Sequence, residues 1–439
     1  MDMDEVITDR RVRTTSVGTS PRLDSYTEDV DVRYPMKSKF DRFKEYLSHK
    51  SSLRMRLLVL ISVLIVILFL MIIAGIILVP RIISYTVSRN QVCSFSAVIL
   101  GNGGGSSEDN LSSVLISLGN SDRFIAFDAG TLLHGIRKFI SSEGLLYNNY
   151  VGSNRNMIFP IPTKYTREIQ RAGYLLRNHV LAYFIGHPHF DHVAGLILNS
   201  PEDHFVNEGT AEGDFPKRKS IIGTNITLSV LQDEVFDNKL WPNLSYQYNY
   251  IQKMNNGTYD VNELLAFTNL SPNSPYMTAF KNSKMTVFET CHSGSSTAFL
   301  LTKLENNQTQ DQALYFSDTG LSTQDPSCDW RSKLNNIWSH PMFQLKKLRV
   351  MFIEVSFEDS IPDNKLYGHL KPSLLITTLK DMMVATRETD LSHVKIIIQH
   401  TKQLFDAAED PRDVIAKQLQ SSGINAQFLF PIQGDYLCL

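Results

Sequence analysis

The sequence predicts an α/β domain of two packed sheets with helices outside them, carried behind a single membrane-spanning helix. Short apolar runs bounded by turn residues recur from Phe95 onward, the pattern of strands buried on both faces. Helical periodicity appears between them. Ahead of both, Leu57 to Val79 runs 23 residues without a charge, enough to cross the hydrocarbon layer of a bilayer.

Taken in order, residues 1–56 are a polar, charge-mixed tail with few large apolar residues before Tyr46, a composition that favours disorder. The apolar run follows as residues 57–79, interrupted only by Ser62 as a hydroxyl and closed by Pro80-Arg81. A signal-peptide core is shorter and nearer the start of a chain. Lys37, Lys39, Arg42, Lys44, Lys50, Arg54 and Arg56 precede the run, against Arg81 and Arg89 after it. The positive-inside bias therefore puts the N-terminus in the cytoplasm and everything beyond Pro80 outside the cell or in a lumen; cleavage after the span would release it. Six Asn-x-Ser/Thr sequons, at Asn110, Asn225, Asn243, Asn256, Asn269 and Asn307, all fall on that side and predict a glycoprotein.

Residues 80–92 read as a juxtamembrane linker and 93–439 as the folded domain. With 439 residues, 43% apolar and 20% charged, the chain can bury a sizeable core. A net charge of −2 offers no basic field for nucleic acid. The predicted strands are Phe95–Leu100, Val114–Leu118, Phe124–Asp128, Ala182–Ile185, Met285–Glu289, Ala298–Leu301, Leu314–Ser317, Val350–Val355 and Val394–Ile398, with helices over Thr163–Arg177, Pro372–Arg387 and Asp413–Leu419. The polar stretch from about Glu202 to Pro275 reads as an insertion or lid. Four cysteines allow three pairings; a bridge from Cys93 to Cys438 would join the ends of the domain. The turn Gly101-Asn-Gly-Gly-Gly105 lacks the Lys-Ser/Thr of a phosphate-binding loop and reads first as a tight turn.

Chemistry concentrates in Gly186-His-Pro-His-Phe-Asp-His-Val-Ala-Gly195. His187 and His189 lie on one side of an extended backbone, and Asp191 and His192 follow as the chain turns toward a helix. Imidazole with carboxylate suits zinc and neighbouring metals. Three more ligand-type residues sit at strand ends, where such folds hang their sites: His292, Asp318 and His400. Two ions roughly 3.5–4 Å apart need about three protein ligands each and a bridging carboxylate. The seven residues supply that number. His49, His134, His179, His204, His340 and His393 have no such context.

The series His187-x-His189-x-Asp191-His192, His292, Asp318, His400 resembles the ligand set of the metallo-β-lactamase superfamily, which implies a four-layered α/β/β/α sandwich. Within it, Leu100-Gly-Asn-Gly-Gly-Gly105, Phe127-Asp-Ala-Gly-Thr131, the histidine motif, Phe316-Ser-Asp-Thr-Gly320, Ile353-Glu-Val-Ser-Phe357 and Tyr367-Gly-His-Leu-Lys-Pro372 resemble the class II cyclic-nucleotide phosphodiesterases over about residues 95 to 435. The setting is similar to the extracellular cyclic-AMP phosphodiesterases of social amoebae. Gly186 departs from relatives that carry a hydroxyl residue before the first histidine. The resemblance implies His187, His189 and His292 on one metal, Asp191, His192 and His400 on the other, Asp318 between them, and Asp128 orienting a ligand histidine.

The resemblance and the topology together imply a membrane-anchored, outward-facing phosphodiesterase that opens the cyclic phosphodiester of cAMP, cGMP or both to the 5′-nucleotide by a two-metal hydroxide mechanism, with two divalent ions, zinc first among them. Asp191 and Asp318 would serve it as ligands. Glu354 and His369 are the candidates to protonate the leaving 3′-oxygen, a pairing similar to that of tRNA 3′-processing nucleases; a swap in which His369 ligates and His400 donates stays open. The expected partners are a cyclic nucleotide and membrane lipid, with no nucleic acid. One alternative keeps the fold but acts on RNA 3′-ends, against which the slightly acidic charge and the topology count. Another is a catalytically dead membrane binding protein, against which the complete set of seven ligands counts.

Overall fold

The computed structural model describes residues 39, 58–69, 71, 93–141, 161–203, 219–243, 251–254, 257–260, 265–292, 296–321 and 327–439. Two compact units make up the chain, Met1–Val79 and Pro80–Leu439. In the first, residues 58–69 and 71 are helical and exposed. Among the described residues no helix is long and apolar enough to cross a membrane. The remainder of the Leu57–Val79 run, most of the tail and the linker at 80–92 lie outside the described residues.

The second unit runs β1 (Phe95–Gly101), β2 (Ser113–Leu118), β3 (Phe124–Phe127), α1 (Leu133–Ile140), α2 (Glu168–His179), β4 (Val180–Phe184), α3 (Phe190–Asp203), β5 (Lys219–Gly223), α4 (Asn225–Val230), β6 (Ile251–Met254), β7 (Gly257–Asp260), β8 (Leu265–Asn269) and β9 (Pro275–Met277). It continues with β10 (Ser283–Thr290), β11 (Ser296–Glu305), β12 (Gln308–Phe316), α5 (Trp330–Trp338), β13 (Leu348–Glu354), α6 (Pro372–Thr386), β14 (Leu391–Gln399), α7 (Pro411–Gln420), β15 (Ala426–Leu429) and β16 (Tyr436–Cys438).

One seven-stranded sheet has the order β16-β1-β2-β3-β4-β5-β8, the other β15-β14-β13-β12-β11-β10-β9. Phe95, Ile99, Ile116 and Phe127 of the first meet Val287, Phe299, Tyr315 and Phe352 of the second in a shared core. The outer face of the first sheet packs Leu100 and Tyr183 on Ile136, Leu175 and Leu196 of α1, α2 and α3. That of the second packs Leu314 and Ile396 on Leu334, Leu379 and Ile415 of α5, α6 and α7. The layers are therefore α/β/β/α, the metallo-β-lactamase arrangement, and they explain why so many strands are apolar throughout: each is covered on both faces.

Several boundaries differ from expectation for identifiable reasons. The helix expected from Thr163 begins at Glu168, where the Gln170 side chain accepts the Arg167 N–H at 3.1 Å and stops the first turn there. The helix expected from Asp413 begins at Pro411, behind Asp410, whose carboxylate caps Arg412 N. β11 and β12 outrun their apolar cores because Asn306 and Asn307, with φ of 51° and 62°, turn the chain between Glu305 and Gln308 and let polar residues keep pairing. The stretch from 202 to 275 is not simply an appendage. It supplies β5 and β8, which extend the first sheet in parallel from β4.

Cys93 and Cys438 form a disulfide across 345 residues, beside the β1–β16 pairing that places Ser96 opposite Cys438. Cys291 and Cys328 form a second.

Strand direction places the site. β3 and β4 run parallel, as do β12, β13 and β14. β10 runs the same way as β12, because both are antiparallel to β11. Asp128, His187, His292, Asp318, Glu354 and His400 all stand at or just beyond the C-terminal ends of these strands, so one edge of each sheet carries them.

Candidate metal centre

The chain leaves β4 extended and enters α3 at Phe190. Within that turn the His192 N–H donates to His189 O at 2.9 Å, which turns Asp191 and His192 back toward His187. Gly186 has no room for a side chain: a Cβ there would lie 2.5 Å from Ser317 Cβ. The glycine thus lets the exit of β4 close on the exit of β12, where Ser317 Oγ donates to Asp128 Oδ2 at 2.8 Å.

The seven ligand-type residues come together as two groups. His187, His189 and His292 present nitrogens within 4.8 Å of one another, and Asp191, His192, Asp318 and His400 do the same with nitrogens and oxygens. Asp318 belongs to both sides: Oδ1 is 3.1 Å from His192 Nε2 and 3.0 Å from His400 Nε2, and Oδ2 is 3.6 Å from His292 Nε2. His400 Nε2 is also 3.2 Å from Asp191 Oδ2.

The donor set fits divalent cations. Asp318 Oδ1 is buried and accepts no hydrogen bond, while two imidazole nitrogens face it and stand 3.3 Å from each other. The outer nitrogens are occupied: His292 Nδ1 donates to Gly368 O at 3.0 Å and His192 Nδ1 to Asp128 Oδ2 at 2.8 Å, leaving each Nε2 directed inward. Burial lowers His187 well below the ordinary histidine value, His189 less so, and His292 to about 4, which keeps them neutral with lone pairs available.

In the second group burial opposes charge but the carboxylates prevail. Asp318 and Asp128 hold His192 well above its usual value, and Asp318 with Asp191 raises His400 to about 9. Burial pushes Asp191 and Asp318 upward, yet the histidines outweigh it and hold both below the usual carboxylate range. Four carboxylates, Asp128, Asp191, Asp318 and Glu354, converge on this edge, a concentration of negative charge that calls for cations.

Supports surround the ligands. Asp128 is fully buried in the left-handed region with φ 50° and accepts from Gly186 N at 2.9 Å, Tyr315 OH at 2.9 Å and Ser317 Oγ at 2.8 Å besides His192. Glu354 is likewise buried; both its oxygens accept from His369 Nδ1, at 3.1 and 3.0 Å, and it also accepts from Thr319 N at 2.6 Å and Leu370 N at 3.3 Å. Burial works against the Glu354 charge, but His369 outweighs it and keeps the carboxyl ionised. Ser356 Oγ joins Glu354 to His400 Nδ1, 3.0 Å away. His369 shares one potential ligand group with His292 and Asp318 and another with Glu354 and His400, so the geometry accommodates either assignment of His369 and His400.

Tyr315, Ser317 and Ser356 were not legible as site residues. A single hydroxyl carries no spacing pattern; only its place beside Asp318 or Glu354 in the chain hinted at it. Of the histidines set aside, His179 Nδ1 donates to Asp122 O at 2.8 Å and His393 Nε2 to Leu345 O at 2.9 Å, both structural contacts. His49 and His204 lie outside the described residues.

The glycine turn abuts the centre. A Cβ on Gly104 would fall 2.6 Å from His400 Nδ1 and 2.7 Å from His400 O. Gly104→Ala is expected to displace the His400 ring and lower kcat/KM by about 100-fold, the scale of an ångström's misplacement, while the fold loses only about 1–3 kcal/mol. Steady-state kinetics beside a thermal melt checks this; unaltered kinetics would show that the turn does not position His400.

The model of the family of class-II cAMP phosphodiesterases matches residues 94–425. The chain is 33% identical over 395 residues to a cAMP/cGMP-dependent 3′,5′-cAMP/cGMP phosphodiesterase A of Dictyostelium discoideum, covering 81% of this chain and 84% of the relative. It is 31% identical over 351 residues to a 3′,5′-cyclic-nucleotide phosphodiesterase of Aliivibrio fischeri, covering 79% and 93%. The crystal structure of unliganded yeast PDE1 superposes with a TM-score of 0.62 at 20% identity, covering 79% of this chain and 100% of that one, a likeness of fold.

Proposed function

The chain belongs to the class II cyclic-nucleotide phosphodiesterases, and from that premise we propose that it hydrolyses cAMP, cGMP or both to the 5′-nucleotide at the centre described above, with His187, His189 and His292 holding one cation, Asp191, His192 and His400 the other, and Asp318 joining them. The observation that carries this reading is Asp318, with one oxygen turned toward each group. The imidazole and carboxylate donors favour zinc. Two divalent cations held there would supply an acidified water near neutral pH and positive charge against the phosphoryl oxygens.

The protein's own groups supply the rest. Asp128 fixes the His192 ring through Nδ1, and Gly368 O does the same for His292. Glu354 accepts the Nδ1–H hydrogen bond of His369 on its two oxygens, which orients the ring so that its Nε2 would deliver a proton to the departing 3′-oxygen.

The same proposal includes the setting. Residues 1–56 form a cytoplasmic tail, 57–79 an anchor in membrane lipid, 80–92 a linker and 93–439 an outward-facing or luminal catalytic domain. The uncharged run and its flanking lysines and arginines support this order. Two disulfides suit an oxidising compartment. Asn225, Asn269 and Asn307 are exposed and open to glycans, whereas Asn243 is buried.

Purified full-length enzyme is expected to hydrolyse cAMP, cGMP or both, to lose at least about 100-fold of that activity to a chelator, and to regain it with zinc. Activity that survives complete metal removal, or turnover of neither nucleotide by metal-loaded protein, overturns the proposal.

A further inference from the structure

The glycine turn and the segment after His400 meet beside the second ligand group. Gly104 N donates to Thr401 O at 3.2 Å and Ser106 Oγ to Gln403 O at 3.3 Å. Between those contacts lies Lys402, whose backbone N–H donates to Ser356 O at 3.0 Å. Its side chain is 23% exposed, and Nζ stands 4.0 Å from Asp191 Oδ2, the outer limit of an ion pair. Among the described residues Nζ donates no hydrogen bond. Gly105, at φ 122°, borders the same space: a Cβ there would lie 3.8 Å from Lys402 Nζ and 3.9 Å from Asp191 Oδ2. The turn therefore borders the spot that an ammonium and a ligand carboxylate both face.

We propose that Lys402 binds the phosphate of the cyclic nucleotide, its ammonium donating to a non-bridging phosphoryl oxygen. The inference rests on the phosphodiester reading of the centre. Under that reading Asp191 gives its oxygen to a divalent cation, so Lys402 faces positive charge and is left without a close anion. A cyclic nucleotide brings one negative charge to that spot, and a charge-assisted hydrogen bond from lysine to phosphate is among the stronger polar contacts.

The test uses full-length enzyme and the cyclic nucleotide that the wild type turns over. Lys402→Met is expected to raise KM about 10- to 100-fold and to weaken inhibition by inorganic phosphate by a similar factor, with kcat within about threefold and bound metal unchanged. Lys402→Arg, which keeps the charge and also suits phosphate, is expected to recover most of both. If Lys402→Met fails to fold, Lys402→Gln carries the same comparison. A KM and phosphate inhibition within twofold of wild type overturn the inference, as does loss of metal and kcat at unchanged KM, which would make Lys402 a partner of Asp191 alone. A wild type that hydrolyses neither cyclic nucleotide fails the underlying reading first; an active wild type with an unaffected Lys402→Met sinks this inference only.

Discussion

Asp318→Ala is expected to abolish measurable turnover, with kcat down by at least about 10³-fold, because several kcal/mol of transition-state stabilisation depend on the charge it organises. Asp318 is the one carboxylate among the described residues with an oxygen toward each ligand group. Removing it also strips His192 and His400 of the charge that faces them at 3.1 and 3.0 Å. Asp318→Asn keeps the shape but turns an amide NH2 toward an imidazole nitrogen on one side or the other, so it should rescue folding and not activity. The measurement is kcat together with metal bound per chain, expected to fall in both variants. An Asp318→Ala enzyme within tenfold of wild type would remove the basis for a bridged centre.

Glu354→Gln is the second large effect, expected at about 10² to 10⁴-fold in kcat, the range attributed to general acid–base catalysis. Glu354 receives His369 Nδ1 on both oxygens, together with two backbone N–H groups and the Ser356 hydroxyl. An amide at that position has one acceptor for all of them and points its NH2 at a donor. The cost to stability is about 1–3 kcal/mol, as for a buried group left unsatisfied. Metal content should stay near that of wild type, because Glu354 lies outside the two principal ligand groups. His369→Ala should lose a similar factor, and the double variant little more than either, since one proton transfer is being removed. Additive losses would separate the two residues into different steps. A His369→Ala enzyme that sheds metal would instead assign His369 as a ligand.

Much of the centre was legible because metal binding needs several ligand types close together, and close spacing is a linear property of a chain. His187, His189, Asp191 and His192 announced themselves in six residues. His292, Asp318 and His400 were legible less directly, as polar residues ending apolar runs. The strands were readable for a related reason: a sandwich covered by helices on both outer faces buries its inner strands twice and leaves unbroken runs such as Val350 to Val355. The same logic hid β5 and β8, whose short apolar segments sit within a polar stretch, and blurred the helix starts, which were decided by the side chains of Gln170 and Asp410.

By itself the sequence determined the fold class, the residue types of the centre and the family resemblance, since each depends on composition and spacing along the chain. Only the tertiary structure decided how those residues are held. The disulfide from Cys291 to Cys328, the Ser317 hydroxyl on Asp128, the Ser356 link from Glu354 to His400, and Lys402 at the mouth of a glycine turn join groups that lie far apart along the chain. The physical reason is that a hydrogen bond or an ion pair depends on distance in space. Strand direction, which carries the ends of β3, β4, β10, β12, β13 and β14 to one edge of the sheets, sets that distance.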